Sequence, residues 1–200
     1  MKKPDGEKKP VVIISGPSGV GKSTICKEIV RRQNDIYLSV SVTTRPKSEK
    51  EIDGDDYWFI SEEEFKRRID EGLLLEYAEV FGHLYGTPRE KVEEALDEGK
   101  TVILEIDVQG AKQVKTVYTD ALMIFILPPS AKVLAERLNH RGREEAEVAE
   151  ERLGVASTEI AAAWQYYKHM VVNEDLNQAV SECIQIINDY RNELSESSGS

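Results

Sequence analysis

Apolar residues recur along this chain in two rhythms, and their alternation sets out the fold. Val11, Val12, Ile13 and Ile14 form a continuous apolar run, and similar short runs occupy residues 101–107, 122–127 and 170–172. Runs of this length read as strands covered on both faces. Between them, apolar residues spaced by three or four predict helices. Ile25, Ile29 and Val30 mark the inner face of a helix over residues 22–33. Others are expected over about 111–118, from the Pro128-Pro129-Ser130 turn to about His140, and along an Ala-rich stretch that reaches Tyr167. A last helix from about Leu176 turns Val180, Cys183, Ile184 and Ile187 inward. Strands alternating with helices predict an α/β fold, with a parallel sheet core flanked by helices.

Residues 40–88 break this rhythm. A strand-like alternation over 37–44 is followed by a polar, lysine-rich turn over 46–55 and a short strand over 57–60. Ser61 then opens a helix with Glu64 as its capping-box partner, and Gly72 closes it. Residues 73–81 read as a strand, and Thr87, Pro88 and Glu90 as the N-cap, N1 and N3 of a helix that ends at Gly99. The segment is expected to form an inserted mixed α/β lobe. Residues 1–10 are expected to be a flexible leader and 195–200 a disordered tail.

Candidate chemistry begins where the first strand ends. Gly16, Gly21, Lys22 and Ser23 satisfy the spacing G-x-x-x-x-G-K-S/T, and a helical pattern opens directly behind them. The glycines let successive N–H groups turn inward, and the helix dipole favours an anion at its start. In this reading Gly16, Pro17, Ser18, Gly19, Val20, Gly21, Lys22, Ser23 and Thr24 bind the phosphates of a nucleoside triphosphate. Lys22 adds a point charge over the β- and γ-phosphates, and the Ser23 hydroxyl is placed to ligate Mg²⁺.

Composition narrows the partners. With 200 residues, 40% hydrophobic and 32% charged, the chain suits one soluble domain with a charge-rich surface. A formal net charge of −11 argues against duplex nucleic acid or an anionic membrane as partner. No apolar run approaches a membrane span, and the lysine-rich start lacks the apolar stretch of a signal peptide. Cys26 and Cys183 fall at helix positions far apart, which suggests buried reduced thiols and a cytoplasmic location. His83, His140 and His169 do not form a metal-ligand spacing.

Seven segments occur in order: GPSGVGKST, SVSVTTRP, EIDGDDYWFI, LLEYAEVFGHLYGTP, LEIDVQGA, FILPPS and VVNEDL. This set resembles the guanylate kinases over nearly the whole chain, from Val11 to about Ile187. The resemblance implies the P-loop NTPase fold within 11–194, in three parts. These are a core (11–39, 89–136 and 158–194), a GMP-binding lobe (40–88) and a helical lid (137–157). It implies transfer of the γ-phosphate of ATP to GMP with Mg²⁺, by a monomer or homodimer. The competing readings are a non-catalytic binding module of this fold and a related phosphokinase with a sugar-phosphate acceptor. The intact phosphate loop weighs against the first. Glu76 with Thr87 and Ser41 weighs against the second.

Guanine differs from adenine by an O6 acceptor, an N1–H donor and an N2 amino donor. A site selective for it needs a carboxylate facing N1 and N2, which Glu76 could supply, and hydroxyls facing O6, which Ser41 and Thr87 could supply. The resemblance adds Asp107 to this pocket and assigns Arg45, Tyr57 and Tyr85 to the acceptor phosphate, with Glu51 orienting the arginine. It assigns Arg137, Arg141 and Arg152, together with Lys22, to closure over the transferring phosphate, and Glu105 to the metal through water. One departure stands out. Ser48 occupies the position of a second phosphate-binding arginine, with Lys47 and Lys50 as the nearest substitutes.

Overall fold

The computed structural model describes residues 10–140 and 146–198. The chain runs through β1 (Val11–Ser15), α1 (Lys22–Arg32), β2 (Ile36–Leu38), β3 (Val42–Thr43) and β4 (Trp58–Phe59). It continues through α2 (Glu62–Asp70), β5 (Leu74–Val80), β6 (His83–Pro88), α3 (Arg89–Asp97), β7 (Thr101–Glu105) and α4 (Val108–Val117). It ends with β8 (Leu122–Leu127), α5 (Ala131–His140), α6 (Ala146–Tyr166), β9 (His169–Val172) and α7 (Leu176–Ser198).

Five strands pair in parallel in the order β2-β7-β1-β8-β9. The central strand β1 is fully buried, and its alternate residues divide between two cores. Val12 and Ile14 pack with Ile25, Cys26 and Ile29 of α1 and Val180, Cys183 and Ile187 of α7. Val11 and Ile13 pack on the other face with Val92 and Leu96 of α3, Ala111 and Val114 of α4, and Ala163 of α6. Helices therefore cover both faces, which is why these strands lack a polar side. From β1 the chain passes to β2 and later β7 on one side of it, then crosses to β8 and β9 on the other. That reversal opens a crevice at the carboxyl ends of the strands, where ligands of α/β sheets bind.

A second sheet has the order β4-β3-β6-β5, antiparallel except for β3 with β4. Its own small core is Val42, Phe65 and Leu74, with Ile60, Ile69 and Leu84 packed around them.

Five expectations need correction. The alternation over 37–44 is not one strand. Residues Ile36–Leu38 form an edge of the core sheet, Ser39 donates its N–H to the Ile103 carbonyl, and Val42–Thr43 joins the second sheet. The apolar and β-branched residues continue through the crossing with no glycine or proline between Leu38 and Val42 to mark it, and the core holds five strands rather than four among the described residues. Thr87 is not a helix cap: it lies within β6, and Pro88 caps α3 without a side-chain bond. Asp107 caps α4, so that helix starts at Val108 rather than near Ala111. Helix α7 runs through Ser198, into the stretch expected as a disordered tail. The Ser61 hydroxyl accepts from the Glu64 N–H as a cap should, but the Glu64 carboxylate turns to Arg67 and Arg68. Of the expected leader, only Pro10 lies within the described residues; its carbonyl accepts from Val102.

Candidate active site

The turn after β1 closes on itself through a Val20 N–H donated to the Pro17 carbonyl, and α1 starts directly behind it. Gly21 caps that helix at φ 102°, and a Cβ there would lie 2.5 Å from Asn173 Nδ2, so both the angle and the space require glycine. Lys22 folds over the turn, its ammonium donating to the Gly16 carbonyl at 2.5 Å and the Pro17 carbonyl at 3.2 Å. One residue on, the Ser23 hydroxyl donates to Glu105 Oε1 at 2.7 Å, across from the end of β7. A hydroxyl and a carboxylate at this separation form a hard, oxygen-only donor pair, which suits Mg²⁺ that keeps waters and shares phosphate oxygens. Among the described residues no group of three or more His, Cys, Asp or Glu could hold a metal by itself.

The loop is buttressed from behind. Asn173, buried just past β9, donates its amide to the Val20 carbonyl at 2.8 Å. Arg137 of α5 reaches the same carbonyl at 3.1 Å and the Asn173 carbonyl at 3.2 Å. Arg137 thus stands behind the phosphate loop, engaged with main-chain oxygens. Arg141 and the side chain of Arg152 lie outside the described residues.

A second cluster of polar side chains draws on three elements. A register shift between Leu74 and Glu76 breaks the alternation of β5, so Leu74, Leu75 and Glu76 are all buried. Leu74 packs in the small core of the second sheet and Leu75 in the core that holds Val11 and Ile13, while Glu76, only 4% exposed, sets its carboxylate against Gly110 of α4. Thr87 pairs with Glu76 across the hairpin and donates its hydroxyl to Glu76 Oε1 at 2.6 Å. Asp107 closes the group from α4, its Oδ1 accepting from the Gly110 N–H at 2.7 Å. Burial pushes the Glu76 carboxyl up to about 7, the Thr87 hydroxyl pulls it down, and the Asp107 charge raises it further. Pairing of Val42 with Gly86 carries Ser41 to the Thr87 end of the same hairpin.

Arg45 lies just after β3, in the segment that leads to β4. Its guanidinium meets Glu51 with two bonds, at 2.6 Å and 3.0 Å, and stands over the Tyr57 and Phe59 rings at 5.5 Å and 5.6 Å. Tyr57 in turn meets Tyr85 edge to face at 5.8 Å. The Arg45 bond holds the Glu51 carboxyl down at about 2, and burial raises the Tyr57 phenol. The Ser48 N–H is donated to Glu51 Oε2, and the Lys47 ammonium binds the Glu51 carbonyl at 2.8 Å, so Lys47 fastens this turn. Lys27 of α1 reaches over from the core, 2.6 Å from Asp56 and 3.8 Å from Asp55.

Three groups escaped the sequence reading. Asn173 carried a signal, being a polar residue directly after a core strand, where such folds place ligands. Tyr167, expected only as the end of a helix, donates its hydroxyl to Ser15 Oγ at 2.8 Å beneath the phosphate loop. Glu159 of α6 is pushed up to about 7 by burial, with the Lys22 charge opposing and the Asp107 charge adding. Nothing in the helical periodicity of α6 marks it.

The family model described as guanylate kinase matches residues 7–190. A guanylate kinase of Carboxydothermus hydrogenoformans is 46% identical over 172 residues, 86% of this chain and 84% of that protein. One of Clostridium tetani is 49% identical over 181 residues, 90% of this chain and 86% of that protein. Among solved structures, the guanylate kinase of Anaplasma phagocytophilum superposes with a TM-score of 0.74 at 33% identity, covering 94% of this chain and 88% of that one.

Proposed function

The chain belongs to the guanylate kinase family, and on that premise we propose that it transfers the γ-phosphate of ATP to GMP through the two half-sites described above. The observation that carries the choice of acceptor is the buried Glu76–Thr87 pair beside Asp107. An ionised Glu76 accepts from guanine N1–H and N2–H₂, while the Thr87 and Ser41 hydroxyls turn to O6. Adenine has no N1–H, so it would leave a buried carboxylate unpaired, a loss that discriminates strongly.

Arg45, kept in orientation by Glu51, offers a planar fork to the GMP phosphate, and the Tyr57 and Tyr85 hydroxyls complete the grip. The phosphates of ATP lie on the loop from Gly16 to Thr24, where Lys22 exchanges its two carbonyl partners for phosphate oxygens. Ser23, and Glu105 through water, would hold Mg²⁺, which when bound neutralises charge on the donor phosphates. The acceptor is already an oxyanion at neutral pH, so no general base is needed, and catalysis is positioning and electrostatics.

In this reading residues 40–88 form the GMP lobe and 137–157 the lid. The lid arginines Arg137, Arg141 and Arg152 close over the transferring group and exclude water. All these residues come from one chain, so the site is complete in a monomer and is repeated in a homodimer. Among the described residues no helix is long and apolar enough to cross a membrane. Cys26 and Cys183 are free and buried, with burial raising both thiols, which supports a cytoplasmic location. The test is a screen of GMP, AMP and sugar phosphates with Mg·ATP, followed as ADP release. GMP-dependent turnover is expected; turnover with another acceptor, or none, overturns the reading.

A further inference from the structure

Gly110 is the third residue of α4, in the first turn of a regular helix where alanine is ordinarily the better helix former. Space, rather than a special backbone angle, excludes it. A Cβ on Gly110 would lie 2.3 Å from Glu76 Oε2, 3.0 Å from Glu76 Cδ and 3.3 Å from Asp107 Oδ1. The Glu76 carboxylate therefore fills the volume that any side chain at this position would need. Its Oε1 takes the Thr87 hydroxyl, and its Oε2 lies against the amino end of α4, where the helix dipole favours negative charge.

The two elements cannot simply part to admit a methyl group. Gln113, one turn further along α4, donates to the Tyr77 carbonyl at 2.7 Å and accepts from the Tyr77 N–H at 3.2 Å. Tyr77 adjoins Glu76, so this double bond pins helix to strand beside the contact. The movable part is the carboxylate.

We propose that Gly110 is a specificity-positioning residue: by having no side chain, it lets the Glu76 carboxylate dock on the first turn of α4 in the place from which it meets the N1–H and N2–H₂ edge of guanine. This rests on the reading of Glu76 as the group that meets guanine. Restoring an ordinary contact of about 3.5 Å would swing the carboxylate by more than about 1 Å, a misplacement that can cost up to ~10²-fold in a positioned site.

The experiment uses the full chain with Gly110→Ala. The KM for GMP is expected to rise about tenfold or more, while the KM for ATP and the Tm stay as in the unaltered protein. Adding Glu76→Asp, whose carboxylate is shorter by one methylene, is expected to restore part of the GMP affinity, although Glu76→Asp alone weakens it. An unchanged KM for GMP, a loss shared equally with ATP, or a fall in Tm without rescue overturns the proposal. If Gly110→Ala does not fold, Gly110→Ala with Glu76→Ala decides. A folded double variant locates the clash at the carboxylate; an unfolded one locates it in the packing of α4 and overturns the proposal. A Glu76→Gln variant that binds GMP normally would instead overturn the underlying reading of Glu76.

Discussion

The phosphate loop is held by main-chain oxygens, whereas the proposed acceptor pocket is held by side chains facing one another. Lys22, Asn173 and Arg137 all donate to carbonyls of or beside the loop, and its geometry follows from glycines at the end of a fully buried strand. In the pocket the corresponding bonds are Thr87 to Glu76 and Arg45 to Glu51, spread over the second sheet and the turn beside it. The difference matches what each must recognise. A triphosphate presents the same oxygens in every nucleotide, so repeated backbone N–H groups suffice. A single base requires a particular pattern of donors and acceptors, which only chosen side chains can supply.

The sharpest break in this comparison comes from the loop's own cationic side chain, Lys22. Lys22→Ala leaves the glycines, the helix start and the buttress of Asn173 in place. The fold should persist, with Tm little changed, while kcat falls by at least ~10²-fold, as for loss of a main electrostatic stabiliser. Near-normal turnover by a folded variant would mean that backbone alone suffices.

Glu76→Gln tests the opposite half. It turns one accepting oxygen into a donor that faces donors, and should weaken GMP binding by about 1–3 kcal/mol. The effect should depend on pH. Glu76 has a folded value near 7, above the ordinary carboxyl value of 4.5. A carboxyl raised in this way contributes stability that is fully present below 4.5 and lost as pH rises through about 7. GMP needs the ionised form, so the gap in Kd between the two proteins should widen from pH 6 to pH 8. Taking the ratio cancels the titration of the GMP phosphate itself. Isothermal titration at several pH values measures it, and a flat ratio would mean that Glu76 is already ionised in the empty pocket.

This contrast also explains what was legible in the sequence. The loop is contiguous, so Gly16, Gly21, Lys22 and Ser23 announce it in one stretch, and the apolar runs around it mark four of the five core strands. The fifth, β2, merged with β3 because no glycine or proline punctuates the residues between Leu38 and Val42. The pocket is assembled from residues far apart in the chain, and its pairing depends on a bulge in β5 that has no local sequence signature. Thr87 shows the cost. Thr-Pro followed by Glu is a good helix start, yet the cross-strand partner Glu76 takes the hydroxyl instead. Only the resemblance to a family brought Glu76, Thr87 and Asp107 together beforehand.

A smaller effect is expected at Ser48, the position to which the resemblance assigned a second phosphate-binding arginine. The Ser48 N–H bonds to Glu51, and Lys47 is occupied with the carbonyls of its own turn, so Arg45 is the planar fork here. Ser48→Arg should add a charge-assisted contact to the GMP phosphate worth about 1.5 kcal/mol, lowering the KM for GMP roughly tenfold. Lys47→Ala should raise it by less, through loosening of the turn. The KM for ATP serves as internal control in steady-state kinetics. If neither variant moves the KM for GMP, the turn does not reach the phosphate.

The smallest effect concerns the tie between the two halves. Lys27 stands on the first turns of α1, just behind the phosphate loop, and its ammonium meets Asp56 and Asp55 in the turn that carries Glu51. Asp56 is itself fixed by the Ile52 N–H at 2.9 Å, so the ion pair grips an ordered turn rather than a free side chain. Lys27 is about half exposed, at 49%, and such pairs contribute about 0–1 kcal/mol because water and salt screen them. Lys27→Ala should therefore lower the Tm by no more than about 4 °C. Because the turn also positions Arg45 through Glu51, the KM for GMP should rise about two- to threefold at low salt, with the KM for ATP unchanged. Wild type and variant should converge at 1 M salt, where the screening length falls to about 3 Å. A difference that persists at high salt would mean that Lys27 acts through packing on α1. A rise shared by ATP would mean that loop and pocket are less separable than their construction suggests.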